Sequence, residues 1–291
     1  MKYLYYPGCS LESTGKPYDV SVRTVFKLLG FELEEIADWN CCGATAYMSV
    51  KETVALSISA RVLALAEKIG GEIIAPCSSC YTILSKTNRD LKANPELEEL
   101  VKEALDAGGL TYNGTVSVRH PLDVLVNDIG IELITAKAVR SLHGLKTANY
   151  YGCQLVRPEK GFDDREFPTS MDNLFASLGA ENVYFPAKVR CCGGMLMTTF
   201  TEVGLKLNHD ILQRAKENAA DVILTTCPMC HINLEGYQSE INKKFHTNFN
   251  MPIVYFTQLL GWALGAGMEE VGMELNLIPI EHRVVGGVVT R

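Results

Sequence analysis

Two hydrophobic rhythms alternate along this chain, and they recur in the same order in each half. Short apolar runs read as strands, and longer stretches with apolar positions three or four apart read as helices. The first half opens with the run Tyr3-Leu4-Tyr5-Tyr6, ending at Pro7-Gly8-Cys9, and the second with Ala148-Asn149-Tyr150-Tyr151, ending at Gly152-Cys153. A helix follows in each, over 18–29 and 170–178, closed by Gly30 and Gly179, since glycine readily takes the left-handed conformation that stops a helix. Next come strands over 32–36 and 182–185, leading into Cys41-Cys42-Gly43 and Cys191-Cys192-Gly193. Long amphipathic helices over 50–69 and 199–219 precede strands over 72–75 and 221–225, each running into a C-x-x-C, Cys77/Cys80 or Cys227/Cys230. Both halves close with a strand and a helix, 116–120 with 121–129 and 253–256 with 257–264.

Strands alternating with helices predict parallel sheets built from βαβ units. The expected fold is therefore α/β, with two tandem pseudo-symmetric Rossmann-like βαβ domains over 1–140 and 141–268 and a C-terminal arm over 269–291. The boundary is expected within 138–146, and an additional helix between Asn94-Pro95 and Gly108-Gly109 lengthens the first half. The arm is interrupted by Pro279 and Gly286-Gly287 and reads either as packed on the body or as a partner-binding segment. Right-handed crossovers place all strand-to-helix turns on one sheet edge, where ligands of such sheets gather. Cysteines that directly follow strands thus converge into one pocket per half.

Composition narrows the function classes. A chain of 291 residues is long enough for two domains, each with its own core. Its 47% hydrophobic and 21% charged residues are ordinary for a soluble globular protein. The net charge of −7 argues against nucleic acid as a partner. The apolar stretch 259–268 is too short to span a bilayer and carries Gly261, Gly265 and Gly267. With no signal peptide at Met1-Lys2-Tyr3, ten thiols imply a reducing compartment, the cytoplasm, with peripheral attachment to a membrane partner left open.

The ten cysteines form two sets of five: Cys9, Cys41, Cys42, Cys77, Cys80 and Cys153, Cys191, Cys192, Cys227, Cys230. From the first cysteine to the adjacent pair there are 31 residues in one half and 37 in the other, and from the pair to the C-x-x-C there are 34 in both. Buried free cysteines would not duplicate such a spacing, and a redox C-x-x-C leaves three thiols per half without a role. Two copies of one metal site account for all ten. Zinc suits four thiolates and leaves a fifth idle; an iron–sulfur cluster engages thiolates on several irons and is favoured on spacing.

The doubled pattern, with Cys191-Cys192-Gly193-Gly194 and Cys227-Pro228-Met229-Cys230-His231 in its second copy, resembles the cysteine-rich CCG domain. A chain made of two such domains is similar to the B subunit of heterodisulfide reductase, a likeness that extends to about Met268. The gap of 34 residues is a shade shorter than the family's usual one. The resemblance implies that each five-cysteine set binds a noncubane [4Fe-4S] cluster, with Cys41, Cys42, Cys191, Cys192 and His231 as candidate catalytic residues. It also implies two partners, the iron–sulfur C subunit and the flavin A subunit of such a complex. The substrate it implies is a small-molecule disulfide, the coenzyme M–coenzyme B heterodisulfide or a related one. Zinc in the N-terminal site remains the lesser choice of cofactor, suggested by Tyr81 where the second half has His231.

Cleaving a disulfide takes two electrons, and an iron–sulfur cluster normally passes one. Two facing clusters could each give one electron and capture one sulfur. The capturing irons would then lie roughly 7 Å apart, from about 2 Å for the sulfur–sulfur bond and ~2.3 Å for each metal–sulfur bond. The second reading is an electron-transfer component of a quinone-, succinate/fumarate- or hydroxyacid-linked complex, without disulfide chemistry. His231 could donate a proton to a leaving thiolate or hydrogen-bond a cluster sulfur, whereas His120 and His209 read as structural. Met195 and Met197 read as core filler, and Lys188, Arg190 and Arg157 as solvated charges or holders of an anionic substrate tail.

Overall fold

The computed structural model describes residues 2–44, 48, 50–157 and 161–280. The first half contains β1 (Lys2–Tyr5), α1 (Lys16–Leu29), β2 (Glu32–Glu35), α2 (Glu52–Ile69), β3 (Ile73–Ile74), α3 (Ser78–Ala93), α4 (Pro95–Asp106) and β4 (Val118–Arg119). A helical turn (Pro121–Asp123), a π turn (Val124–Gly130) and α5 (Ile131–Lys137) complete it. The second half contains β5 (Lys146–Tyr150), α6 (Gly152–Leu155), α7 (Ser170–Ser177), β6 (Glu181–Asn182), α8 (Leu196–Thr199) and α9 (Thr201–Glu217). It ends with β7 (Val222–Thr225), α10 (Pro228–Glu235), α11 (Gln238–Phe245), β8 (Ile253–Tyr255) and α12 (Phe256–Ala263).

The strands form two four-stranded sheets of the same order, β2-β1-β3-β4 and β6-β5-β7-β8. Every pairing is parallel. After β1 the chain goes to one side, forms β2, then crosses back to form β3. The switch point of each sheet therefore lies between its two central strands, β1 and β3 or β5 and β7. Cys9 and Cys77 leave the first switch point; Cys153 and Cys227 leave the second.

Local signals set most element ends. Gly30, at φ 91, closes α1 by donating its N–H to Lys27 and Phe26 carbonyls, and Gly179, at φ 94, bonds Ala176 in the same way. Asn94 caps α4 with its side chain accepting from Leu97 N–H, ahead of Pro95. Two expectations shift. β6 pairs earlier than 182–185, because Glu181 and Val183 N–H groups bond Leu145 and Thr147 carbonyls. The helix expected over 121–129 continues through Gly130, at φ 87, to Lys137.

The halves do not keep separate cores. One buried apolar cluster runs from Tyr3, Val25 and Phe26 through Leu125 to Phe175, Leu224, Leu260 and Val271. The reason is helix α1, whose buried face Tyr18, Val22, Val25 packs on α12 of the second half. Gly261 permits that approach, for a Cβ there would lie 3.3 Å from Val25 Cγ2 and 2.6 Å from Val271 Cγ1. Ser21 Oγ and Thr257 Oγ1, 2.6 Å apart, hydrogen-bond across the same seam. Of the arm, residues 269–280 pack on the body: Asn276 donates to the Ile253 carbonyl, and Ile278 N–H bonds Glu235. The remainder, 281–291, lies outside the described residues.

Candidate metal centre

Strand ends and helix starts deliver the sulfurs. Cys77 and Cys227 are the residues before α3 and α10, and Cys80 and Cys230 stand three positions on, within the first turn. Residues at that spacing share a helix face, and the positive end of the helix favours thiolates there. Cys41 and Cys191 approach on the loops after β2 and β6.

The sulfurs are close within each half. Cys9 Sγ lies 3.7 Å from Cys41 Sγ and Cys42 Sγ lies 3.3 Å from Cys80 Sγ. In the second half Cys192 and Cys230 are 3.4 Å apart, and Cys153 pairs with Cys191. The two sets also meet, because Ser78, next to Cys77, donates from Oγ to the carbonyl of Thr226, next to Cys227, at 3.0 Å across the seam between halves. All ten are free thiols; Cys42, Cys77, Cys80, Cys192, Cys227 and Cys230 are buried, while Cys9 and Cys191 are exposed and Cys41 and Cys153 half-buried. Each half thus has a wet pair and a dry trio. Among the described residues no three of His, Cys, Asp and Glu close around a single metal ion.

Backbone and glycine geometry suit a bulky sulfur-bound group. Gly8 and Gly152 have φ of 72° and 67°, and a Cβ would sit 3.0 Å from Cys80 Sγ at the first and 3.3 Å from Cys230 Sγ at the second. Gly43 and Gly193 are also left-handed, which turns amide groups toward the sulfurs. Gly193 N–H lies 3.3 Å from Cys191 Sγ and Gly194 N–H 3.5 Å from Cys192 Sγ, and Gly43 and Ala44 N–H groups serve Cys41 and Cys42 likewise. Cys42 hydrogen-bonding, joined by Cys9 and Gly43 N–H, holds the Cys41 thiol far below its usual range. Cys153, Gly193 N–H and the Arg157 charge lower Cys191 to about 6. Thiolate is the metal-binding form, so each half carries one poised ligand at its wet edge.

Several positioning residues were not singled out from the sequence. Tyr6 and Tyr150 stand three positions before Cys9 and Cys153, and their hydroxyls bond the carbonyls of Asn40 at 2.8 Å and Arg190 at 2.6 Å. Each pins the residue just before its Cys-Cys pair. Their equal offset from the first cysteine was the available signal. Asn208 and Asn233 hold the Cys192 turn, donating to the Cys192 carbonyl at 2.8 Å and the Gly194 carbonyl at 3.0 Å. No sequence pattern marks them, because they come from helices far along the chain.

The other expected residues separate clearly. His231 is buried and lowered by burial to about 4; its ring stacks on Tyr255 at 4.3 Å, its Nδ1 lies 3.7 Å from Glu235 Oε2, and its Nε2 has no partner among the described residues. His120 is buried, with Nε2 2.9 Å from the Pro76 carbonyl, and His209 packs on Phe245 and Phe249. Lys188 is committed to Asp172 and the Pro168 carbonyl. Arg157 acts on Cys153 and Cys191. Met197 is buried and Met195 exposed.

The cysteine-rich domain model named CCG matches residues 3–85 and 147–235, once in each half. The chain belongs to the CCG cysteine-rich domain family. Three relatives are similar over nearly their whole length. The 8-methylmenaquinol:fumarate reductase membrane anchor subunit of Wolinella succinogenes is 31% identical over 95% of this chain and 97% of its own. The heterodisulfide reductase B-subunit-like protein of Archaeoglobus profundus is 32% identical over 93% of each. The B subunit of a ferredoxin/F(420)H(2)-dependent CoB-CoM heterodisulfide reductase from Methanosarcina acetivorans is 29% identical over 95% of this chain and 94% of its own. A solved hypothetical protein from Helicobacter pylori shares the fold at a TM-score of 0.78 and 15% identity, covering 96% of this chain, which spans about half (52%) of that one. These relatives make the chain a component of an oxidoreductase complex, and the CCG cysteines imply iron–sulfur clusters as its cofactors. No helix among the described residues is long and apolar enough to cross a membrane.

Proposed function

We propose that this chain is the disulfide-handling component of a heterodisulfide reductase-type complex. Cys9, Cys41, Cys42, Cys77 and Cys80 would hold one noncubane [4Fe-4S] cluster, and Cys153, Cys191, Cys192, Cys227 and Cys230 the other. The observation that carries this reading is the meeting of the two sets where Ser78, next to Cys77, hydrogen-bonds Thr226, next to Cys227, with a solvent-reaching pair of sulfurs beyond each dry trio. When bound, two such clusters supply one electron each and a binding place for each sulfur of the disulfide. The chain's own residues hold and orient them: Gly8 and Gly152 leave room, the Cys-Cys-Gly turns donate amides, and Tyr6 and Tyr150 fix the approach of those turns. Arg157 favours negative charge at the second wet pair. His231, buried with an Nε2 that no described residue partners, would hydrogen-bond a cluster sulfur and not exchange protons with solvent. The protons that turn the product thiolates into thiols would then come from solvent at the exposed edge. Five free cysteines per half, one more than a closed zinc site takes, favour a multi-iron group over zinc in both halves.

The substrate on this reading is a small-molecule disulfide of the coenzyme M–coenzyme B kind, with electrons arriving through an iron–sulfur C subunit and, beyond it, a flavin A subunit. The fumarate reductase relative, at 31% identity over nearly the full chain, favours a second reading: electron transfer within a quinone-linked complex, without disulfide chemistry. Anaerobic spectroscopic titration of the loaded protein with a heterodisulfide and its thiols separates the two. Thiol-dependent cluster signals are expected for the disulfide enzyme; signals indifferent to thiol at all concentrations would leave the electron-transfer reading.

A further inference from the structure

The two halves bury one histidine and one tyrosine each at matching places, but exchanged. Tyr81 follows Cys80 and His120 directly follows β4; His231 follows Cys230 and Tyr255 ends β8. In the first half the polar atom at the strand end is satisfied, His120 Nε2 meeting the Pro76 carbonyl at 2.9 Å. In the second half it is not: the Tyr255 hydroxyl is fully buried and has no partner among the described residues.

Its surroundings fix where that hydroxyl can act. Tyr255 pairs in register with Thr225, two residues before Cys227. Its ring is clamped between Tyr18 of the first half and His231, each stacked at 4.3 Å and within 7° of parallel. Gln258 Oε1 accepts its backbone N–H at 2.9 Å. The ring therefore has no freedom to seek a partner elsewhere. His231 Nε2 is a second buried nitrogen without a partner among the described residues, but an imidazole carries hydrogen there in only one tautomer, whereas the phenol always has one to donate. Burial weighs most on the phenol, and of the charges those of Cys227 and Cys77 come next, as that of Cys227 does for Tyr18 beside it. A buried hydroxyl left unpaired costs about 1–3 kcal/mol, so an acceptor is expected beside it.

We propose that the Tyr255 hydroxyl donates a hydrogen bond to a sulfur of the group held at the Cys77–Cys227 seam, and so sets the reduction potential of the second half above that of the first. This rests on the iron–sulfur reading of the two cysteine sets. Hydrogen bonds to cluster or ligand sulfur stabilise the reduced, more negative state and are a principal control of potential. The first half lacks an equivalent donor, since the ring in that place is bound to a carbonyl. Electrons would thus settle first on the second half.

The test is Tyr255→Phe in the full, cluster-loaded chain, followed by redox titration with electron paramagnetic resonance. One of two potentials is expected to fall by at least a tenfold change in the reduced-to-oxidised ratio, 59 mV for one electron, with iron content unchanged. Tyr18→Phe, from the same stack but with its hydroxyl 3.4 Å from His120 Nε2, is expected to move neither potential that far. Unmoved potentials in Tyr255→Phe at full iron content, or an equal shift in Tyr18→Phe, overturn the proposal. If Tyr255→Phe loads poorly, Tyr255→His, which restores a donor of the first half's kind, is expected to recover wild-type iron and potential; failure there also overturns it. A wild-type chain without iron–sulfur clusters would instead overturn the proposed function itself.

Discussion

Single residues make room for, and aim groups at, the ten sulfurs. Gly8 and Gly152 combine a left-handed φ with a Cβ position already close to a cysteine sulfur, 3.0 Å at the first and 3.3 Å at the second. Gly8→Ala should cost about 1–3 kcal/mol in backbone strain and roughly halve the iron bound, with Gly152→Ala milder; thermal unfolding and iron analysis of both check this. A variant with full iron and unchanged stability would show that the cradle has slack. Away from the sulfurs, burial lifts the Glu235 carboxyl to about 7. The native chain then keeps a proton that the unfolded chain releases above about pH 4.3. That contribution is complete below the unfolded pKa and is lost as pH rises toward 7, about 3 kcal/mol in total. His120, lowered by burial to about 4, works in the opposite sense: its contribution is complete above about pH 6.5 and lost as pH falls. Glu235→Gln removes only the first effect. Its unfolding free energy should rise more steeply than wild type between roughly pH 4.5 and 6.5; parallel profiles would place the Glu235 carboxyl in the ordinary range.

At the scale of elements, the strand–helix order and the carboxyl-edge position of the cysteines were legible because period and glycine stops are local signals. Gly30 closes α1 and Asn94 starts α4 where the pattern places them. The pairing of helices across the halves was not legible. Nothing in the periodicity of α1 says that Val22 and Val25 face α12 and not their own sheet alone, and this is why two separate cores were expected where one continuous cluster runs. The hydrogen bond of Ser78 to Thr226, beside Cys77 and Cys227, was hidden for the same reason, as were Asn208 and Asn233. Gly261 is the test of that helix seam, because a Cβ there would stand 2.6 Å from Val271 Cγ1. Gly261→Ala should destabilise by about 1–3 kcal/mol through overpacking, read as a lower denaturation midpoint at unchanged slope. A neutral substitution would mean that the seam is loosely packed.

For the whole molecule, the shared core and the adjoining cysteine sets make the two halves one working unit. Residues 1–140 and 141–268 produced as separate chains should each expose the α1 or α12 face, bind less iron and aggregate, while recombining them should restore solubility; two well-behaved separate halves would contradict the shared core. The fit of the cysteines to the CCG family, with matches at 3–85 and 147–235, leaves the identity of metal in each half as the claim on which the rest depends. Iron, zinc and acid-labile sulfide counted in the anaerobically purified chain test it most directly. About eight irons and no zinc per chain are predicted, four for each cluster. About four irons with one zinc would contradict the account, since a first half holding zinc could not supply the second electron.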